Sequence, residues 1–253
     1  MRKISAVIVA HNEEKKIEDC LKSLDFADEI VVVLDKCTDK TKEIVLKYTN
    51  RIIEGSWNIE GKRRNVSLTS ASHDWILEVD ADERVPQELK EEILSIKNAE
   101  PGSYIIQFDN YLGNRLVKYG WLRTIGVDQK RILTFKGYKK FHEDKEIHPT
   151  FDCKGRAKFL KNKMIHLADD NIFDLIARFN RYTNWKANDM AASGKIKGCA
   201  FSLIFSLKMR FIKSFFIKKG YKEGALGVLI ALLAGAYPIV SYLKAKEVES
   251  RKS

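Results

Sequence analysis

Residues Trp75 to Arg84 read Trp-Ile-Leu-Glu-Val-Asp-Ala-Asp-Glu-Arg, an apolar run that ends in two carboxylates one residue apart. Side chains alternate faces along a β-strand, so Asp80 and Asp82 are expected on the same side, where they can share a hard divalent cation. Such a cation would neutralise a diphosphate. The alternative is a solvated strand end that turns at Pro86. The order of the surrounding elements favours the metal site.

Strand and helix patterns alternate through the first hundred residues. Buried strands are predicted for β-branched apolar runs, at residues 4–10, 30–34, 51–53 and 75–80. Helical patterns lie between them, at residues 17–24, at a stretch that includes 44–48, and at residues 61–72. Strands separated by helices imply right-handed crossovers and a mostly parallel sheet. The first run is too short for a secretory segment or a membrane span.

Polar clusters follow three of the four predicted strands. They are His11-Asn12-Glu13, residues 35–39, and residues 80–84. Ligands of parallel sheets bind at the carboxyl ends of the strands. The three clusters are therefore expected to converge on one crevice.

Four segments of the chain resemble the nucleotide-binding segments of family 2 glycosyltransferases. They are residues 5–14 (Ser-Ala-Val-Ile-Val-Ala-His-Asn-Glu-Glu), 33–41 (Val-Leu-Asp-Lys-Cys-Thr-Asp-Lys-Thr), 62–65 (Lys-Arg-Arg-Asn) and 74–85, which holds the D-x-D pair. Their order over about ninety residues is more specific than any one segment.

Further segments resemble the subgroup that includes lipopolysaccharide core transferases. They are Glu146-Ile147-His148-Pro149, His166, Arg181-Tyr182-Thr183 and residues 219–224. The resemblance thus spans nearly the whole chain. It implies an α/β GT-A fold, Rossmann-like and mostly parallel with flanking helices, a nucleotide-sugar donor, Mg²⁺ or Mn²⁺, and inversion at the anomeric carbon.

The resemblance also implies roles for individual residues. Asp82 is expected to coordinate the metal, and Asp80 to contact the metal, the ribose or a metal-bound water. Asp35 would contact the uracil or ribose, and Lys62 and Arg63 the diphosphate, with Arg64 a further candidate, although a solvated basic face is the alternative for the two arginines. The implied nucleotide-contacting set is Ala10, His11, Asn12, Glu13, Asp35, Lys62, Arg63, Asp80, Ala81 and Asp82.

The second segment departs from the commonest family form. A single Asp35 replaces two adjacent acids, and Lys36 and Cys37 stand where small residues are usual. Because of this departure, the segment itself does not identify the base. Uridine, and with it a UDP-sugar donor, is expected only as the family default.

The general base is expected in the acidic stretch at residues 142–149. By resemblance Glu146 is the first candidate and Asp144 the second, whereas a polar surface loop is the alternative for the whole stretch. Contacts to acceptor or phosphate are expected for His148 and His166, since Mg²⁺ prefers oxygen ligands, with metal ligation the alternative.

Three aromatic or basic residues complete the candidate set. Arg181 and Tyr182 belong to a subgroup motif, and Trp121 is either a sugar-stacking residue or a core residue. The four cysteines are isolated, which favours a reducing compartment and gives no zinc spacing. No G-x-x-x-x-G-K-[ST] loop is present, so a P-loop NTPase is not indicated.

Charge divides the chain into an acidic and a basic part. Residues 1–100 carry 16 Lys and Arg against 21 Asp and Glu, whereas residues 101–253 carry 29 against 13, and the whole chain has a net charge of +11. The basic part is interleaved with apolar runs and has no nucleic-acid module. An anionic membrane surface is the predicted partner, and nucleic acid is not.

The carboxyl-terminal region supports the membrane prediction. Residues 224–243 are uncharged, just long enough to span hydrocarbon, and residues 199–217 mix apolar clusters with basic residues. Attachment through two amphipathic or apolar helices is favoured over spanning, and packing of residues 226–243 on the catalytic domain is a third alternative. The predicted domains are a catalytic domain at 1–193 and a membrane-associating region at 194–253.

Chain-polymerising relatives carry a Q-x-x-R-W segment, which residues 178–182 match only by an arginine and an aromatic. The sequence therefore predicts a non-processive enzyme. Together with the predicted membrane attachment, the resemblance implies an inverting enzyme of hexosyltransferase type at the cytoplasmic face of the bacterial inner membrane. Its acceptor would be a lipid-linked or envelope glycan such as lipopolysaccharide core. A transferase for a protein or soluble acceptor, and a catalytically silent sugar-nucleotide-binding membrane module, are the alternatives.

Overall fold

The computed structural model describes residues 1–122, 126–144, 149–194, 196 and 199–251. The chain divides into two compact units. Unit 1 consists of Met1–Phe108 and Gln129–His166, and unit 2 of Asp109–Asp128 and Leu167–Ser253.

Eleven strands are described in these residues. They are β1 Ile4–Ala10, β2 Glu29–Asp35, β3 Ile52–Gly55, β4 Trp75–Asp80, β5 Glu83–Arg84, β6 Ser103–Leu112, β7 Arg115–Val117, β8 Gln129–Phe135, β9 Lys139–Phe141, β10 Phe151–Cys153 and β11 Lys158–Asp169. The α-helices are α1 Ile17–Lys22, α2 Thr41–Val45, α3 Glu60–Ser70, α4 Gln87–Ser95, α5 Ile172–Ala192, α6 Ala200–Ile212 and α7 Ala225–Ser250. A π turn, Lys213–Ile217, and a 3₁₀ turn, Gly220–Glu223, lie between α6 and α7.

The main sheet has the order β3-β2-β1-β4-β8-β6-β11-β5, with β7 paired to β6. Its first four strands are parallel, as predicted, because a helix returns the chain between them. The later pairs β4–β8, β8–β6 and β11–β5 are antiparallel. No helix lies in the described residues between β6 and β8, so the crossover that a parallel pair needs is missing there.

The core of unit 1 forms where the sequence predicts it. All residues of β1 except Val9 are buried, and Ile17, Cys20 and Leu21 give α1 the predicted apolar stripe. Val7, Val31, Ile76 and other side chains pack into one apolar cluster across the sheet. This burial of the parallel strands anchors their carboxyl ends, where the polar residues begin.

The prediction that Asp80 and Asp82 share one face of a strand is wrong for Asp82. β4 ends at Asp80, and Asp82 lies in the turn that leads to β5. The guanidinium of Arg84 donates hydrogen bonds to the carbonyl oxygens of Ala81 at 2.8 Å and Lys16 at 2.7 Å. These bonds hold the turn, so the position of Asp82 is set by the turn and not by strand alternation.

Unit 2 contains α5, α6 and α7, and α7 packs against both other helices. Its core includes Trp121, Leu175, Ile230 and Ala234. Among the described helices, α7 is long and apolar enough to cross a membrane, with a mean hydropathy of 2.0 in its best 18-residue window, of which 33% is buried. A core helix can have the same composition, so a membrane role for residues 194–253 stays a prediction.

Candidate active site

The first two nucleotide-binding segments meet at the ends of β1 and β2. Asn12 has a left-handed backbone with a φ of 55°, which asparagine tolerates better than most residues. Its side-chain Oδ1 accepts a hydrogen bond from the backbone N–H of Thr38 at 2.8 Å. The thiol of Cys37 lies 3.5 Å from the carbonyl oxygen of Ala10. The two segments therefore form one connected loop pair, as the sequence predicts.

Asp35 lies at the centre of this loop pair and is only 2% exposed. Its carboxylate accepts hydrogen bonds from the backbone N–H of Trp57 at 3.0 Å and from Arg63 at 2.5 Å. Its carbonyl oxygen accepts one from Nδ1 of His11 at 2.6 Å. Asp35, His11 and Arg63 are thus brought together, and Arg63 neutralises the buried carboxylate. Lys62, on the same helix, is exposed.

A second group of acids lies at the end of β4. Asp80, Asp82 and Glu83 each place one oxygen so that the three atoms lie within 4.8 Å of one another. Glu83 is 1% exposed and accepts a hydrogen bond from the backbone N–H of Asp80 at 2.9 Å. Three carboxylate oxygens are the donors that Mg²⁺ and Mn²⁺ prefer. This acid cluster, Asp80, Asp82 and Glu83, therefore fits the divalent cation that the sequence predicts.

Two basic side chains approach the acid cluster. The ammonium of Lys130 lies 2.6 Å from Asp80 and 2.5 Å from Glu83, and Arg64 lies 3.4 Å from the other oxygen of Asp80. Burial opposes ionisation of Asp80, but Lys130 and Arg64 together hold its pKa below the usual range. Burial and the charges of Asp80 and Asp82 outweigh Lys130 at Glu83 and raise the pKa of Glu83 to about 7.

His166, on strand β11, lies beside the acid cluster. It pairs with Glu83 in the β11–β5 register, and its Nε2 lies 3.4 Å from Asp82. Its ring also packs edge-on against Phe108, with centroids 6.1 Å apart. Burial would raise the pKa of Asp82, but the neighbouring imidazole lowers it overall.

Glu13 is influenced by the same acids. Its backbone N–H donates to the hydroxyl of Thr41 at 2.8 Å, which fixes the loop after β1. Burial and the negative charges of Asp82 and Asp80 raise the pKa of Glu13 to about 7. The end of β1 and the end of β4 therefore belong to one electrostatic site, as the convergence of strand ends predicts.

A sequence model described as glycosyl transferase family 2 matches residues 5–166, which hold all these residues. The chain belongs to glycosyltransferase family 2. It is 25% identical to an uncharacterized glycosyltransferase of Rickettsia typhi, over 98% of this chain and 88% of that protein. It is 23% identical to the lipopolysaccharide core biosynthesis glycosyltransferase LpsC of Rhizobium meliloti, over 95% and 91%. The crystal structure of S. aureus TarS 1–349 matches 99% of this chain and 91% of its own at a TM-score of 0.50 and 18% identity, which supports the fold.

Five further candidates of this family 2 enzyme are Asp144, Glu146, His148, Arg181 and Tyr182. Glu146 and His148 fall outside the described residues, and Asp144 is exposed. Arg181 is exposed on α5 of unit 2, and the Tyr182 ring on the same helix stacks on Trp185, with centroids 5.3 Å apart.

Trp121 lies in the core of unit 2. It is 3% exposed and donates a hydrogen bond from Nε1 to the carbonyl of Val117 at 2.7 Å. A Cβ added at Gly126 would lie 2.3 Å from its indole, so Gly126 packs directly against the ring. Of the two alternatives for Trp121, the core one agrees with these surroundings.

Lys130 was not among the residues that the sequence assigns to the site, and Glu83 was only part of a quoted motif. The signal for Glu83 is its position directly after the D-x-D pair. Lys130 lies fifty residues later in sequence at the start of β8, and only the pairing of β8 with β4 places it near the acids. Local sequence patterns do not carry that information.

Proposed function

We propose that this family 2 enzyme is a membrane-associated, metal-dependent, inverting glycosyltransferase of hexosyltransferase type. It would transfer one sugar from a nucleotide sugar, by family default a UDP-sugar, to a lipid-linked or envelope glycan such as lipopolysaccharide core. The observation that carries the proposal is the acid cluster at the carboxyl end of β4, next to the connected loops after β1 and β2.

The donor would lie against the loops that hold His11, Asn12 and Asp35. Arg63 supports this assignment, because its buried Nε has no hydrogen-bond acceptor among the described residues. A buried donor without a partner is costly, so an oxygen of the nucleotide would satisfy it. Lys62 is exposed on the same helix and would meet the diphosphate as a mobile point charge.

Asp80, Asp82 and Glu83 would hold Mg²⁺ or Mn²⁺, which when bound supplies positive charge to the departing diphosphate. The chain itself must accept the proton of the acceptor hydroxyl as its oxygen attacks the anomeric carbon. Glu146 remains the first candidate for this base and Asp144 the second. His166 would orient Asp82, since the two side chains are in contact.

The envelope acceptor is supported by similarity to LpsC, whose name gives lipopolysaccharide core biosynthesis as its role. Attachment to the cytoplasmic face of the inner membrane is supported by unit 2. Between residues 201 and 217, seven large apolar side chains are exposed: Phe201, Ile204, Phe205, Met209, Ile212, Phe216 and Ile217. Lys208 and Lys213 are exposed among them, so this apolar-basic surface suits an anionic bilayer.

Donor turnover tests the catalytic proposal. Purified protein would be incubated with UDP-sugars and Mn²⁺, and release of free UDP measured. Asp82→Asn should lower turnover by about a hundredfold or more. The variant loses one of the carboxylates that would hold the metal, and the metal supplies positive charge to the departing diphosphate. Asp25→Asn changes a paired surface acid, and should behave as wild type.

Three results would change the assignment. Full activity of Asp82→Asn would contradict the metal site. Binding of UDP-sugar without any UDP release, with lipid acceptor present, would identify a catalytically silent module. Transfer to a protein or soluble glycan, but not to a lipid-linked one, would contradict the envelope acceptor.

A further inference from the structure

The ammonium of Lys130 lies where a metal would compete with it. It is 2.6 Å from an oxygen of Asp80 and 2.5 Å from an oxygen of Glu83, two of the three candidate ligands. Its side chain is 27% exposed and passes Phe108, with the ammonium 5.2 Å from the ring centroid. The ammonium of Lys130 therefore already provides positive charge to two of the three carboxylates of the acid cluster.

We propose that Lys130 is an internal counter-cation of the acid cluster, which gives up its contact with the acids when a divalent cation binds. This rests on the proposed metal site at Asp80, Asp82 and Glu83. In the metal-free protein Lys130 offsets the repulsion among the carboxylates, and it weakens metal binding by the same contact.

The charge balance of the cluster leads to this proposal. Three carboxylate oxygens within 4.8 Å repel one another strongly if no cation is near. A divalent ion bound to the same oxygens would lie a few Å from the ammonium of Lys130, and like charges at that distance repel. The two cations therefore cannot both bind Asp80 and Glu83 at full strength.

Lys130 is better suited to move than Arg64, the other cation at Asp80. Arg64 is held by Glu60 at 2.6 Å and lies over the ring of Phe141 at 5.8 Å. Both hydrogen bonds described for the ammonium of Lys130 are to carboxylates of the acid cluster, and its flexible side chain is partly exposed to solvent. Loss of these bonds would free the ammonium, whereas Arg64 would keep its anchor.

Mn²⁺ binding to the full-length protein tests the proposal without any substrate. Affinity would be measured by calorimetry and by the EPR signal of free Mn²⁺. The neutral variants Lys130→Met and Lys130→Gln should bind Mn²⁺ about tenfold or more tightly than wild type, because the competing charge is gone. Lys130→Arg keeps the charge and should stay within about threefold of wild type.

Stability in EDTA gives a second, independent measurement. Both neutral variants should melt at a lower temperature than wild type without metal, and Mn²⁺ should raise their melting temperatures more than that of wild type. Lys97→Met is a matched control, because Lys97 is a partly buried lysine whose ammonium lies 2.7 Å from Asp28 and whose carbonyl binds the Trp75 indole at the other end of β4. Its Mn²⁺ affinity should equal that of wild type.

The other possible outcomes each either overturn or support the proposal. Equal or weaker Mn²⁺ binding in the neutral variants, with normal binding in wild type, would overturn the role of Lys130 and leave the glycosyltransferase assignment intact. Absence of Mn²⁺ binding in wild type and all variants would overturn the metal site and this inference together. Neutral variants that fold only with Mn²⁺ would support the proposal. Variants that fail to fold even with Mn²⁺ would overturn it, because Lys130 would then be needed beside the metal.

Discussion

Carboxylates at the ends of neighbouring parallel strands have different surroundings in this site. Asp80 has a lowered pKa because Lys130 and Arg64 outweigh its burial, whereas burial and nearby negative charge raise the pKa of Glu13 to about 7. The ionised form of Glu13 therefore destabilises the folded, metal-free protein. A bound divalent cation would offset that cost, since it adds positive charge next to Asp82.

Replacement of Glu13 by Gln should remove a pH dependence of stability. The folded state holds the Glu13 proton more tightly than the unfolded chain, because the pKa is raised from 4.5 to about 7. The free energy of unfolding of wild type therefore falls as the pH rises through this window. In EDTA, Glu13→Gln should melt at a higher temperature than wild type at about pH 8 and at the same temperature at about pH 4.5, as followed by circular dichroism.

Glu43→Gln serves as the control, because Glu43 is an exposed glutamate on α2. It should leave the pH profile of stability unchanged. Parallel profiles for Glu13→Gln and wild type between about pH 4.5 and 8 would contradict the raised pKa of Glu13.

At the residue scale, the sequence places Asp35, Asp80 and Asp82 at the strand ends, but it does not single out Glu83 and does not show how these acids are paired. Asp35 and Arg63 were both assigned to the nucleotide, and the structure also joins them to each other at 2.5 Å. Lys130 was missed because its partner Asp80 lies fifty residues earlier. A contact of that separation depends on strand order, which residue patterns near either position do not contain.

Among the elements, α3 is tied most closely to the site, because it carries Lys62, Arg63 and Arg64. Its first turn packs directly on the loop after β9. A Cβ added at Gly61 would lie 2.1 Å from the carbonyl oxygen of His142. The side chain of Asn65 extends this contact by donating to the carbonyl of Phe141 at 2.9 Å.

Gly61→Ala should shift α3 and lower stability. The clash is with backbone, which cannot turn away as a side chain can, so we expect a loss of about 1–3 kcal/mol in the free energy of unfolding. Urea denaturation would measure it, and UDP binding should weaken as Arg63 moves. Gly102→Ala is the control, since a Cβ there lies 3.7 Å from its nearest neighbour. Equal stability of the two variants would contradict the tight packing of α3.

At the scale of elements, the first four strands and their helices were predicted within a few residues. Buried parallel strands are continuous apolar runs, and helices have a 3.6-residue period, so both are local signals. The apolar sequences at residues 104–108 and 131–135 also predict strands that would extend the sheet, and these residues lie within β6 and β8. Their antiparallel pairing was not predicted, because strand direction depends on the connections and not on the strand sequence.

Viewed as a whole molecule, the chain combines an acidic amino-terminal part with a basic carboxyl-terminal one. Unit 1 contains the acid cluster, and unit 2 contains the apolar-basic surface at residues 201–217. The face of α7 that includes Ile230, Ala231 and Ala234 is buried in the core of unit 2. Surface attachment through α6 and the following turn keeps this core intact.

Vesicle flotation should separate attachment through this surface from other modes. Wild type should bind vesicles that contain phosphatidylglycerol more tightly than pure phosphatidylcholine vesicles, and less tightly at high salt. Phe201→Ser/Phe205→Ser should weaken binding about tenfold or more, because two rings no longer insert. Phe159→Ser should bind as wild type, since Phe159 is exposed to the same 58% as Phe205 but lies in unit 1.

Failure of wild type to bind anionic vesicles would contradict membrane attachment altogether. Normal binding by the double variant would instead assign attachment to another part of the chain. Neither result would affect the family assignment, which depends on residues 5–166.

The sequence by itself determined the family, the parallel core and most of the polar residues at the strand ends, because these depend on short segments and local periodicity. Only the tertiary structure decided that a turn places Asp82, that Lys130 lies on the acid cluster, and that α7 buries one face against its neighbouring helices. Each of these depends on contacts between segments far apart in sequence, whose energies exist only once strand order and helix packing have formed.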